Sequence, residues 1–397
     1  MVADERVQML KKRRKAYGLT QSKLALQAGV ARTNLSGIES GKVILTDEMF
    51  DRLSTALDRL NPDSGMNIVI DYVRIRFLTT NAVHVIENIL ELKIGYMLHE
   101  DYGYFGYEEH YEYGNIFVMV SGDEEKGTLV EMKGQGSRQF EGVLEAQGRN
   151  WYDFFLSCVN EGCVFKRIDL AINDVNGILD IPELTEKCNR EECVSLFRGF
   201  KSYRSGELVK KEEKLGMGYT LYIGSMRSDV YFCIYEKDYE QYVKYEIPID
   251  EVPVKNRFEV RLMNDRAKHA VDELLTYRDG EDTVFGIINR YIRFVDRDER
   301  KPKEDWEVND RWAWFLGENR RKIKLTSQPK PFNIYDTYTW LSHQVSRTWK
   351  MAKMIDEKNG TNIVDEMVMN AELSKRQEMI YKQCTAKLED VIVENRK

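Results

Sequence analysis

The chain has 397 residues, 42% of them hydrophobic and 31% charged, with 7 Pro and 26 Gly; this excludes disordered, collagen-like and fibrous proteins and, at roughly 150 residues per domain, predicts two or three domains. The formal net charge of -7 excludes a uniformly basic coat. No stretch approaches the roughly 20 consecutive apolar residues of a membrane span, and the N-terminus is charged, so no membrane insertion and a cytoplasmic location are expected.

The charge is unevenly placed. Residues 1 to 45 carry nine basic side chains against three acidic ones, a net of +6, which leaves -13 on the other 352. A cationic head on an anionic body suggests a nucleic-acid contact, because lysines and arginines that neutralise phosphates release condensed counterions. A first helix is predicted over 5–17, ending near Gly18. Thr20 is a candidate N-cap for a short helix over 21–28. Gly29 supplies the turn into a helix over 31–40, with Val30, Leu35 and Ile38 inward and Arg32, Thr33, Asn34 and Ser36 outward. The run LTQSKLALQAGVARTNLSGIESGK resembles the helix-turn-helix of phage-repressor-like proteins. That resemblance implies that the 31–39 helix enters the major groove, where Arg32, Thr33, Asn34 and Ser36 meet base edges or phosphates. An acidic helix over 46–60 completes the bundle, and Asn61-Pro62-Asp63-Ser64-Gly65 reads as a linker.

From Ile68 onward the hydrophobic period changes from helical to two. An aromatic run at 102–113 suits strand packing, with stacking on unpaired bases as the alternative. Gly134-Gln135-Gly136 lacks the lysine and spacing of a P-loop, which argues against an NTPase. In 164–173, Ile168, Leu170 and Ile172 take the even side of a strand, while Arg167, Asp169 and Asn173 take the odd side. The stretch from Arg198 to Lys214 has six basic residues and reads as a loop, either solvated or on a DNA backbone. In 230–237 the even residues are Val230, Phe232 and Ile234 and the odd ones Tyr231, Cys233, Tyr235 and Lys237; in 257–262, Phe258, Val260 and Leu262 are even and Arg257, Glu259 and Arg261 odd. Alternation of this kind predicts strands that each bury one face. The C-terminal third reads as helical, with Trp306, Trp312, Trp314, Trp340 and Trp349 packing between helices.

If the three strands are neighbours, the odd face gathers Asp169, Glu259, Tyr235, Lys237, Arg167, Arg257 and Arg261. Two carboxylates suit a hard divalent cation, a tyrosine offers a nucleophilic oxygen, and arginines and a lysine suit a phosphodiester. Charges pairing across a solvated sheet face would give the same alternation. The five histidines form neither H-x-H nor H-E-x-x-H, so no histidine-bound metal motif is visible. The six cysteines form no C-x-x-C pair, and reduced thiols are expected.

The segments MKGQGSRQFE (132–141), KRIDLAIND (166–174), LYIGSMRSDVYFCIYEKDYEQ (221–241), NRFEVRL (256–262) and PFNIYDTYTWLSHQV (331–345) resemble, in that order, the replication-initiation-factor family. It comprises rolling-circle plasmid initiators and relaxases of Gram-positive conjugative elements; an N-terminal helix-turn-helix favours the relaxase branch. The resemblance implies an α+β chain: a helix-turn-helix domain over 1–61, a catalytic domain on an antiparallel sheet with flanking helices over 68–300, and a helical segment over 301–397. It implies that Tyr235 attacks DNA, with Tyr231 as the second candidate and Tyr239 and Tyr242 close by. Asp169 and Glu259 would hold Mg²⁺ or Mn²⁺, with Asp174 in reserve. Lys237, Arg257 and Arg261 would stabilise phenolate and phosphate charge, and Arg138 and Arg167 would contact DNA. The implied product is a 5′-phosphotyrosyl ester that starts conjugative transfer and rolling-circle replication. The implied partners are origin DNA, a host helicase, a conjugative coupling protein and a second copy of the chain. A plasmid initiator with the same chemistry and an inactive origin-binding regulator are the alternatives.

Overall fold

A computed structural model describes residues 5–17, 19–60, 65–206, 218–317 and 322–394. The linker residues 61–64 and the basic residues Lys210, Lys211 and Lys214 lie outside them. The head consists of α1 (Glu5–Ala16), α2 (Gln21–Gln27), α3 (Arg32–Glu39) and α4 (Asp47–Arg59). Thr20 caps α2 as expected, its Oγ1 accepting from the Lys23 amide at 3.1 Å, which satisfies one of the helix's orphan N–H groups. Leu24, Ala25, Leu35 and Ile38 close on Val7, Leu10, Leu53 and Leu57 in one apolar cluster. Gly29 takes φ +62° at the α2–α3 turn, a conformation costly for side chains with a Cβ. From α4, Arg52 donates to the Ala28 and Gly29 carbonyls at 3.2 and 2.6 Å and pins that turn. Beneath it Arg14 grips Glu39 with two bonds of 2.6 and 2.8 Å.

The chain divides into two compact units. One comprises residues 70–169, 262–278 and 327–397; the other comprises 1–69, 170–261 and 279–326. Strand β1 (Met66–Phe77) starts in the second and continues into the first. The first unit continues through α5 (Ala82–His84), β2 (Leu98–Glu100), β3 (Glu109–Tyr113), β4 (Ile116–Val120), β5 (Thr128–Lys133), α6 (Gln135–Ala146), α7 (Trp151–Asn160) and the start of β6 (Val164–Asp174). Its strands are ordered β2-β3-β4-β5-β1-β6, and the ladders from β2 through β5 to β1 are antiparallel. Asn150 and Asp153 start α7 with a reciprocal capping box, which points Phe154 and Phe155 at Phe140 and Trp151 in a buried aromatic cluster.

The second unit takes up the rest of β6, then α8 (Ile181–Asn189), β7 (Cys193–Ser195), β8 (Phe200–Arg204), β9 (Tyr219–Ile223), β10 (Val230–Glu236), α9 (Lys237–Tyr245) and β11 (Asn256–Met263). The strands run β6-β11-β10-β9-β8, and β8, β9 and β10 pair antiparallel. Helix α10 (Asn264–Tyr277) returns to the first unit; α11 (Gly280–Tyr291), β12 (Ile292–Phe294) and α12 (Asp310–Leu316) belong to the second. The C-terminal helices α13 (Tyr335–Trp340), α14 (Ser346–Asn359), α15 (Ile363–Met369), α16 (Lys375–Thr385) and α17 (Leu388–Val391) end the chain in the first. Among the described residues no helix is long and apolar enough to cross a membrane.

The even residues of β10 and β11 do form a core face: Phe232 meets Phe258 at 5.3 Å, and Phe258 stacks on Phe315 at 5.6 Å, with Trp312 beside them. The expectation that each strand buries one face alone is overturned. Asp169, Tyr231 and Glu259 on the odd side are only 2%, 3% and 3% exposed. Burial is tolerated there because the charges pair within their own strands, at i and i+2 on one face. Three further expectations are corrected. Residues 200–204 are strand β8, an edge that pairs with β9 through its backbone, and not part of a loop. Lys237 opens α9 instead of ending β10. Trp340, at 57% exposure, does not pack between helices.

Candidate active site

Tyr235 lies next to the end of β10, half-buried, and its Oη donates to Glu259 Oε1 at 2.8 Å. The other oxygen of Glu259 accepts from Arg261 Nε at 3.0 Å and Nη2 at 2.6 Å. Arg261 Nη1 donates to the Tyr231 hydroxyl at 2.7 Å, so one guanidinium ties β10 and β11 together across the odd face. Burial works against the charge on Arg261, but Glu259 and the Tyr231 hydroxyl hold its pKa above the usual arginine range. The cation is therefore permanent, and it fixes the carboxylate that faces Tyr235. Lys237 Nζ sits 5.4 Å from the centroid of the Tyr235 ring and also pairs with Glu240.

The two strand tyrosines differ in access. Tyr231 is buried with its hydroxyl accepting from Arg261, whereas Tyr235 is reachable and donates to a carboxylate. Tyr239 and Tyr242 lie on α9, off the strand.

The other expected site residues are placed as follows. Arg257 Nε donates to Asn173 Oδ1 at 2.8 Å. Asp169 accepts from Arg167 at 2.8 and 2.6 Å, and that guanidinium lies 4.1 Å from the Tyr72 ring centroid; these residues belong to the first unit, while Glu259 belongs to the second. Asp174 is committed elsewhere: it accepts from the Ile178 and Leu179 amides and from Asn256. Burial pushes its pKa up in spite of those bonds. Arg138 is buried, paired with Glu141 at 2.8 Å and bonded to the Ile70 carbonyl. In the head, Arg32, Thr33 and Asn34 are exposed and Ser36 half-buried on α3.

Asp169 in the first unit and Glu259 in the second each carry the kind of donor that a hard divalent cation takes. Both are buried carboxylates. A separate group of His99, Asp101 and Glu109 brings one ligand atom from each within 4.8 Å of the others. There His99 Nε2 is hydrogen-bonded to Glu109 at 2.6 Å, His99 and Asp101 are exposed and Glu109 is half-buried, and a surface hydrogen bond accounts for the pair. No motif marked it, because strand pairing assembles it.

Residues 163–368 match the family described as replication initiation factor, residues 67–157 the rolling circle replication initiation protein N-terminal domain, and residues 10–63 a helix-turn-helix. The chain is 38% identical over 332 residues to "Putative DNA relaxase NicK" of Bacillus subtilis (strain 168), covering 83% of this chain and 93% of that protein. It also resembles the solved rolling circle replication initiator protein from Geobacillus stearothermophilus, with a TM-score of 0.57, 26% identity, and coverage of 66% of this chain and all of the other. The Tyr235–Glu259–Arg261 cluster falls within the region matched to the first of these families, and the match at residues 10–63 is to a DNA-binding motif. The chain belongs to the replication initiation factor family of relaxases and rolling-circle initiators.

Proposed function

We propose that the protein is a site- and strand-specific DNA relaxase that nicks a transfer origin by tyrosine transesterification. The observation that carries this reading is the 2.8 Å bond from Tyr235 Oη to a carboxylate held in place by Arg261. A phenol has an ordinary pKa of about 10, so it needs a positioned proton acceptor to attack at neutral pH.

In the proposed reaction the Tyr235 oxygen forms a bond to the scissile phosphorus as the bond from phosphorus to the 3′ oxygen breaks. The phenolic proton passes to Glu259 and from it to solvent, and the leaving 3′ oxygen takes its proton from solvent, so that no net proton is gained or lost. The product is a 5′-phosphotyrosyl ester, a phosphodiester close in energy to the one broken, so attack by a 3′-hydroxyl reseals the strand. Arg257, Arg261 and Lys237 stabilise charge on the phosphoryl oxygens and on phenolate. Asp169 and Glu259 are the proposed carboxylates for Mg²⁺ or Mn²⁺, which when bound would polarise a non-bridging oxygen. Arg138 and Arg167 are proposed as contacts to the DNA strand; in the structure they pair with Glu141 and Asp169.

The test is incubation with supercoiled plasmid carrying the origin and Mg²⁺. Wild type is expected to give a covalent protein–DNA adduct and Tyr235→Phe none; an adduct of wild-type yield from Tyr235→Phe rejects the nucleophile. Asp169→Ala and Glu259→Ala are each expected to abolish cleavage and leave duplex binding unchanged. Unaltered cleavage in both removes the metal proposal. A second reading, a plasmid replication initiator with the same chemistry, is favoured by the resemblance to a solved initiator. A host helicase, a coupling protein and a second copy of the chain are proposed partners of the relaxase reading.

A further inference from the structure

A groove of about 1030 Å³ opens along the edge strand β8 and the turn between β9 and β10. Its lining includes Arg198, Lys201 and Arg227, the aromatic rings of Tyr203 and Tyr222 and, among the described residues, no acidic side chain, in a chain whose net charge is -7. The β-ladders fix where this groove lies relative to the nucleophile. Tyr235 is paired with Thr220 and Thr220 with Tyr203; Cys233 is paired with Tyr222 and Tyr222 with Lys201. Directly paired residues in an antiparallel ladder project to the same side of the sheet. Tyr203, Lys201 and Tyr222 therefore stand on the face that carries Tyr235. At roughly 4.8 Å per strand, Tyr203 is about 10 Å from Tyr235 along that row.

We propose that this groove is a base-stacking subsite for single-stranded DNA, seating nucleotides next to the scissile phosphate. This rests on the reading of Tyr235 as nucleophile. Tyr203 is 56% exposed and meets Tyr222 edge to face at 5.8 Å, so a ring is presented to solvent on a supported platform. Burial pushes Tyr222 up to about 12, with Cys233 beside it adding to the shift, so its hydroxyl stays neutral beside a phosphodiester. Exposed cations at Arg198, Lys201 and Arg227 supply the backbone contacts. Stacking platforms with interleaved cations are how proteins hold unpaired strands without reading sequence.

The experiment measures binding of a fluorescein-labelled oligothymidylate to the full chain by anisotropy, in EDTA so that no cleavage intervenes, with a labelled duplex as control. Tyr203→Ala is expected to weaken oligothymidylate binding about 10-fold, the loss of one stacked base. Tyr203→Phe is expected to retain wild-type affinity. Lys201→Ala should lower the slope of log affinity against log salt by about 0.7. The far-UV circular dichroism and thermal midpoint of each variant report that it is folded, and duplex binding through the head should not change. Wild-type oligothymidylate affinity in Tyr203→Ala overturns the subsite, as does wild-type chain that binds no single strand. Because nothing here depends on cleavage, failure of Tyr235 as nucleophile would show in adduct formation and not in this titration.

Discussion

At the scale of single residues, the pair Tyr231 and Tyr235 shows what alternation reveals and what it hides. The parity of β10 and β11 was legible in the sequence and placed both tyrosines with Glu259 and Arg261. The hydroxyl partners were not, because a two-residue period says nothing about which of two same-face phenols donates to the carboxylate. The geometry separates them: Tyr231 receives a bond from Arg261, and Tyr235 gives one to Glu259. Glu259→Gln keeps the shape and removes the proton acceptor, so single-turnover adduct formation should fall about 10²- to 10⁴-fold. Tyr231→Phe removes only a support of Arg261 and should slow the same step less than about 10-fold, with an adduct still formed. Equal losses in the two variants would show that the carboxylate does no more than hold the arginine.

At the scale of elements, the head was readable almost residue for residue, since caps, glycine turns and a helical hydrophobic period are all local signals. Its strongest internal tie was not. Arg14 and Glu39 are 25 residues apart and meet only after α1 and α3 have packed. Burial raises the pKa of Glu39, but bonds from Arg14 and Gln21 outweigh it and leave the net value below the usual carboxylate range. The unfolded chain therefore takes up the proton at a higher pH than the folded one. The stability that the pair contributes is present at neutral pH and above about 4.3, the ordinary carboxylate value, and is lost as pH falls through the lower folded value. The protection factors of α1 and α3 amides, which take out the intrinsic slowing of exchange in acid, should fall on acidification below that range. Glu39→Gln should remove this acid limb and, by leaving Arg14 buried without its counter-charge, destabilise the head by about 3 kcal/mol. The odd face of the sheet misleads for a related reason: acidic and basic residues at i and i+2 predict exposure by composition, but Arg167 neutralises Asp169 and Arg261 neutralises Glu259, so the carboxylates go inside while the guanidinium groups stay half-buried.

At the scale of the whole molecule, the charge divides the work. The head carries a net of +6 and the remaining 352 residues -13. An acidic body repels duplex in general, which leaves long-range attraction to the head and short-range contact to cations set among aromatics, as along β8. Recognition and chemistry should then respond to different substitutions. Arg32→Ala with Asn34→Ala, both exposed on α3, should weaken duplex binding about 10-fold or more. The salt slope should fall by about 0.9 for each phosphate that the altered helix no longer neutralises. Adduct formation on a single-stranded origin oligonucleotide should stay at the wild-type rate, because that substrate needs no reading of the major groove. A parallel fall in single-strand nicking would mean instead that the head helps build the catalytic site and is not a separate reader of duplex DNA. The two behaviours separate most clearly at low salt, where the attraction of a cationic head over a Debye length of about 30 Å at 0.01 M is greatest, so a defect confined to duplex binding should shrink as salt is added.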